Sequence, residues 1–153
     1  MRLLLFGLLA GAWIGSIGSA LALHKPEAEV VYNHITEDGS PYDDVFKSAY
    51  QSRYRFIDVT AGPSFKRAQI IFSTWPKTPT NTRGEPVHGY ILVAYIISTG
   101  GRATKPRVIK TTDPLLAGPT LRAMQEWQFQ PAVLDGSPVA TLAGQEFNIG
   151  PRR

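Results

Sequence analysis

Gly89-Tyr90-Ile91-Leu92-Val93-Ala94-Tyr95-Ile96-Ile97, followed by Ser98-Thr99-Gly100-Gly101, is the stretch on which the reading of this chain turns. Its β-branched and aromatic residues are unbroken by polar ones, so both faces of the strand they form must be buried, which places it inside a sheet rather than at its rim. Gly100-Gly101 is expected to supply the positive backbone angles of a tight turn, and Arg102 to Thr111 then reads as the returning strand, with Val108 and Ile109 at its centre.

Outward from this hairpin, Thr112-Asp113-Pro114 is a helix start, with Asp113 as cap and Pro114 in the first turn. Leu116, Thr120, Ala123, Met124 and Trp127 follow at helical spacing and mark its buried stripe. Pro119 lacks the N–H that a helix interior uses, so a kink or restart is expected at Gly118-Pro119. Trp127 lies on the buried stripe and is read as closing the helix–sheet core. Phe129-x-Pro131 ends the helix, Asp135-Gly136 is a two-residue hairpin signal, and Pro138 to about Ile149 should form the last strand.

Upstream the pattern is weaker. Ser40, Pro41, Asp43 and Asp44 suit a helix N-terminus, and Tyr42, Val45, Phe46, Ala49 and Tyr50 share one face, so Pro41 to Arg53 reads as a short amphipathic helix. Tyr54 to Thr60 and Gln69 to Ser73 are short strand candidates around the turn-prone Ala61-Gly62-Pro63. Pro76 to Pro86, rich in proline and threonine, should run as an extended connection.

The N-terminus addresses the compartment. Met1-Arg2, the uncharged apolar run Leu3 to Gly18 and Ala20-Leu21-Ala22 form the three parts of a secretory signal, with cleavage expected after Ala22. Retained, the same segment is just long enough to anchor the chain in a membrane. With no cysteine among 153 residues the chain has no thiol to acylate, no disulfide and no Cys-based metal site. The formal charge of +4 is spread along the sequence. Nucleic-acid binding would require a clustered basic stripe.

The residues offer no catalytic constellation. His24, His34 and His88 are far apart in sequence, so a metal site built on them would need all three to converge. Ser64, Ser73 and Ser98 lack a nucleophile-elbow setting, and Glu37-Asp38 and Asp43-Asp44 read as solvated charges or helix-dipole partners. No enzyme, cofactor or metal is expected. The fold expected is α+β: a three-stranded antiparallel sheet centred on the Gly89 strand, the Asp113–Trp127 helix on one face, and a less regular N-terminal segment before it. That leaves the Pro138 strand with an open edge.

Taken in register, Gly89-x-Ile91-x-Val93-x-Tyr95-x-Ile97-x-x-x-Gly101, Val108-Ile109-x-Thr111-x-Asp113-Pro114-Leu115-Leu116, Ala123-x-x-x-Trp127-x-Phe129-x-Pro131-Ala132 and Asp135-Gly136-x-Pro138-Val139 resemble the TonB C-terminal domain. Trp75-Pro76 stands where that family carries Tyr-Pro, and the Thr- and Pro-rich stretch after it replaces the family's short helix. The resemblance implies a periplasmic, non-catalytic module that grips an extended peptide of an outer-membrane transporter or other envelope protein as an added strand. Its implied contacts are Val139, Ala140, Thr141, Leu142, Ala143, Gly144, Gln145, Glu146 and Phe147, with Trp75 and Pro76 beside them. Residues 1–22 are then a signal peptide, 23–74 an N-terminal segment and 75–153 the TonB-like domain. Two alternatives stay open: self-association through the same edge into a homodimer, and a membrane-anchored energy-transducing adaptor if the N-terminal segment is retained. The long Pro-rich spacer of an energy transducer is missing from this sequence.

Overall fold

The computed structural model of the chain describes residues 28–33, 42–59 and 64–150. Ten strands and two helices follow in the order β1 (Ala28–Asn33), α1 (Asp43–Tyr50), β2 (Tyr54–Val59), β3 (Phe65–Lys66), β4 (Gln69–Phe72), β5 (Gly89–Ile97), β6 (Ala103–Thr111), a 3-10 turn (Pro114–Leu116), α2 (Ala117–Gln125), β7 (Gln128–Gln130), β8 (Ala132–Leu134), β9 (Ser137–Val139) and β10 (Thr141–Ile149).

The apolar run does lie inside the main sheet, as strand β5, antiparallel to β6 on one side and β10 on the other. The sheet is larger than three strands. Its order is β2-β1-β10-β5-β6, because the N-terminal segment adds two strands parallel to each other, with Ala28 opposite Tyr54 and Asn33 opposite Val59. Glu29-Val30-Val31-Tyr32 is thus a strand that its polar surroundings concealed, and β1, α1 and β2 form a parallel crossover packed on the sheet.

Each face of β5 has its own core. Ile91, Val93, Tyr95 and Ile97 join Leu116, Met124, Trp127, Phe129 and Phe147 on the α2 face. Leu92, Ala94 and Ile96 join Val30, Tyr32, Phe46, Tyr50 and Leu142 on the α1 face. Two coverings explain why the strand is apolar throughout.

Several local expectations change. Only Gly101 of the glycine pair has a positive φ, +72°, and a Cβ there would meet the Phe129 carbonyl oxygen at 2.0 Å. Asp113 caps as expected, its Oδ1 accepting from the Leu115 N–H at 2.8 Å. The helix restart comes at Ala117 instead of Gly118-Pro119. Pro119 therefore falls in the first turn of α2, where an N–H has no intrahelical partner to lose. The last strand is also divided: Val139 ends β9, opposite Ala132 in a hairpin turned by Asp135 and Gly136, and β10 starts two residues later.

Helix α1 starts at Asp43; Ser40, Pro41 and Ala61-Gly62-Pro63 lie outside the described residues, as do the N-terminal apolar segment, His24, His34 and Glu37-Asp38. Asp43 is not a solvated charge. It is buried and accepts a hydrogen bond from the Tyr32 hydroxyl, tying the helix to β1.

Candidate functional site: the divided edge of β10

Backbone direction along β10 follows from its neighbours. The Tyr90 carbonyl accepts from the Thr112 N–H and the Ser98 N–H donates to the Arg102 carbonyl, so the even-numbered residues of β5 face β6 and the odd-numbered ones face β10. Thr141 lies opposite Ile97 and Phe147 opposite Ile91. The odd-numbered residues of β10 therefore bond inward. Leu142, Gly144, Glu146 and Asn148 turn their N–H and C=O groups away from the sheet centre.

Strand β1 meets only one end of this outward row. Val31 pairs with Thr141, and its N–H donates to the Ala140 carbonyl at 2.8 Å. Beyond that single pair no described strand bonds the outer side of β10. Of the nine β10-edge residues the sequence singled out, Val139 belongs to another sheet, Ala140 to Leu142 lie at the covered end, and Ala143 to Phe147 lie along the unpaired part. The Glu146 carbonyl is met by the side-chain amide of its neighbour Gln145 at 2.8 Å.

Two aromatic rings bracket the unpaired part. On the α1 face Phe46 lies so close over Gly144 that a Cβ there would sit 2.3 Å from the ring, which is why only glycine serves at this position. On the α2 face the Trp75 ring is 5.6 Å from that of Phe147, edge to face, and 53% of the Trp75 surface is exposed. Trp75 is held there by Thr74, whose carbonyl accepts from the Trp127 indole N–H at 2.9 Å and whose hydroxyl donates to the Ala123 carbonyl at 3.1 Å. Pro76 is buried, so it fixes the segment rather than presenting a surface. Trp127 is 4% exposed, in agreement with its core assignment.

Where β1 departs from β10 a cavity of about 190 Å³ opens beside Thr141 to Gly144, lined also by Tyr32, Phe46, Phe65 and Arg67. It is mostly apolar with a cation at its wall. Sequence reasoning missed Phe46 and Arg67 as neighbours of the edge. The close Gly144–Phe46 approach could have been suspected only from a glycine inside a strand.

The titratable groups nearby are anchors. Burial holds the Tyr32 phenol well above its ordinary range, and its bond to Asp43 adds to this. Tyr90 is pushed up to about 12 by burial and by a hydrogen bond with Tyr42. Among the described residues no cluster of three or more His, Cys, Asp or Glu could hold a metal ion.

Fold and edge together define the class: an α+β domain whose central sheet is closed at one end of an edge row and unpaired along the rest. Residues 75–149 match the family model for the Gram-negative bacterial TonB protein C-terminal, and this segment belongs to the TonB C-terminal domain family. Among solved structures the chain is similar to the solution NMR structure of the Pseudomonas aeruginosa TonB CTD, with 20% identity, a TM-score of 0.47 and coverage of 60% of this chain and 91% of that one. No curated protein matches the chain. The family is a non-catalytic interaction and energy-transduction domain that in general engages outer-membrane transporters, and its domains are periplasmic. No helix among the described residues is long and apolar enough to cross a membrane.

Proposed function

We propose that this chain is an exported periplasmic binding module that takes an extended peptide of an outer-membrane transporter or similar envelope partner as a strand along Gly144 to Asn148. The outward row of backbone groups at Gly144, Glu146 and Asn148, bracketed by Phe46 and Trp75, carries the reading. An added strand would bond these groups and lay alternate side chains toward Trp75 on one face and α1 on the other. The signal-like N-terminus, Met1 to Ala22, supports export.

Amide hydrogen exchange tests the mode residue by residue. With a synthetic peptide copied from the periplasmic N-terminus of a transporter of the same cell, the amides of Gly144, Glu146 and Asn148 gain protection, while those of Gln145 and Phe147, already in the ladder, change little. Glu146→Pro removes an outward N–H and abolishes binding with the fold intact. Gln145→Pro removes a ladder bond and leaves its buried acceptor unpaired, which destabilises the fold by about 1–3 kcal/mol. If the three even-numbered amides exchange as before with peptide bound, strand addition at this edge is wrong. Concentration-dependent protection of the same amides without peptide would instead make the edge a dimer contact.

A further inference from the structure

Strand β4 carries a surface that the edge of β10 does not explain. Ile70, Ile71 and Phe72 are 53%, 68% and 48% exposed, and Trp75 at 53% continues the run. From Ala68 to Trp75 there is no charged residue. Ile70 lies opposite Phe129 and Phe72 opposite Gln128, adjacent residues of β7 that point to its two faces, so this ribbon shows apolar groups to solvent on both sides. Cations border it: Lys66 and Arg67 precede the strand, and Lys77 and Arg122 line the shallow depression beside Trp75, where Glu126 is the acid.

The geometry points to a membrane-docking tip: Ile70, Ile71 and Phe72 enter the outer layer of an anionic phospholipid bilayer, with Trp75 at headgroup level and Lys77 and Arg122 on lipid phosphates. Strand pairing fits poorly, because β4 is only four residues long, is bonded to β7 on one side, and is bulged between Ile70 and Phe72. A rigid protein groove covers one face of such a ribbon. Fluid lipid covers both. Phe129 donates its N–H to the Gly101 carbonyl on the far side of β7, so Ile70, opposite Phe129, turns its backbone outward. Unpaired backbone is excluded from the hydrocarbon centre, so the insertion is shallow, at a depth where water reaches Ile70. Aromatic residues at the boundary and basic residues toward anionic headgroups match that depth.

The absence of cysteine makes the test direct. An environment-sensitive dye is placed on the full chain at Ser73→Cys, beside the tip, and in a second protein at Ser52→Cys, in the turn after α1 on the opposite face of the sheet. With phosphatidylglycerol vesicles carrying brominated acyl chains, the dye at 73 shifts to the blue and is quenched, whereas the dye at 52 is not, whether or not the N-terminal segment is present. With phosphatidylcholine vesicles the response at 73 is roughly tenfold weaker. Combining Ile70→Ser, Ile71→Ser and Phe72→Ser removes the response, and Lys77→Glu with Arg122→Glu weakens it on anionic vesicles without touching the apolar tip. Equal quenching at both positions, or a response at 73 that the triple substitution leaves unchanged, overturns the proposal. A lipid-free dimer in sedimentation that the triple substitution dissociates also overturns it, assigning the tip to a second copy; saturable tip-dependent binding of an acidic apolar peptide, with no vesicle response, does the same in favour of a protein partner.

Discussion

The two faces of β5 are equally buried but are covered by different chemistry. On the α2 face the covering is aromatic packing: the rings of Trp127 and Phe147 lie 5.6 Å apart, Trp127 and Phe129 6.0 Å, and Tyr95 and Phe129 5.9 Å. On the α1 face the covering is anchored through tyrosine hydroxyls. Tyr32 bonds Asp43, and the Tyr50 hydroxyl lies 2.9 Å from the Ala94 carbonyl and 2.5 Å from that of Lys105, at a bulge of β6 where Lys105 takes a φ of 50°. The difference teaches that the family segment packs its own face, whereas the N-terminal segment is fastened on by specific polar contacts inside an apolar layer.

The largest effect should come from the packed face. Trp127→Ala removes the ring shared by Tyr95, Phe129 and Phe147 and the donor to the Thr74 carbonyl, so a loss of about 3–5 kcal/mol is expected. Urea unfolding measures it. Because Thr74 holds Trp75, the same variant should also loosen the site. A stable Trp127→Ala protein would mean that the α1 covering alone sustains the sheet, which would reverse the comparison.

On the anchored face, Tyr50→Phe keeps the ring and deletes the hydroxyl, leaving carbonyls of Ala94 and Lys105 without that donor. A loss of about 1–2 kcal/mol is expected near neutral pH. Burial raises the Tyr50 phenol above its ordinary 10.0 in the folded chain. Below pH 10 both folded and unfolded chains keep this proton, so its contribution is complete; as pH rises further the unfolded chain ionises first and stability falls until the folded phenol also ionises. Unfolding midpoints measured on both sides of pH 10 should therefore decline, and decline less steeply for Tyr50→Phe. An identical alkaline slope in wild type and variant would show that Tyr50 is not the anchor described.

What the sequence disclosed divides along the same line. The β5–β6 hairpin, the Asp113 cap, the buried stripe through Trp127 and the Asp135-Gly136 turn are written in local signals: continuous apolar residues, capping chemistry and 3.6-residue spacing. Strand β1 was not legible, because a short run such as Val30-Val31-Tyr32 acquires its meaning only from Tyr54–Val59 and Thr141, distant partners that no periodicity encodes. Asp43 likewise looked like a helix-dipole carboxylate until Tyr32 was brought to it. The candidate site was half legible for the same reason. An open edge beside the central strand followed from strand order, but its closure at Ala140–Thr141 by β1 and the Phe46 ring over Gly144 both depend on how the N-terminal segment docks, which no local pattern encodes.

The smallest effect separates charge from packing on the anchored face. Lys47 of α1 and Asp58 of β2 are 2.6 Å apart, with side chains 23% and 58% exposed, and the Lys47 ammonium also lies 4.4 Å from the centre of the Tyr32 ring. An ion pair this open to water gains little, since solvent screens it and two long side chains must be held in one arrangement. Asp58→Asn should lower stability by no more than about 1 kcal/mol, and the difference should shrink further in 0.5 M salt, where the Debye length is on the order of 4 Å. The cation over Tyr32 survives the substitution, so the Tyr32–Asp43 bond should remain and α1 should stay docked. Urea midpoints of the two proteins at low and high salt measure this. A loss of several kcal/mol that salt abolishes would make surface charge the fastening of α1 and would remove the buried hydroxyls from that role.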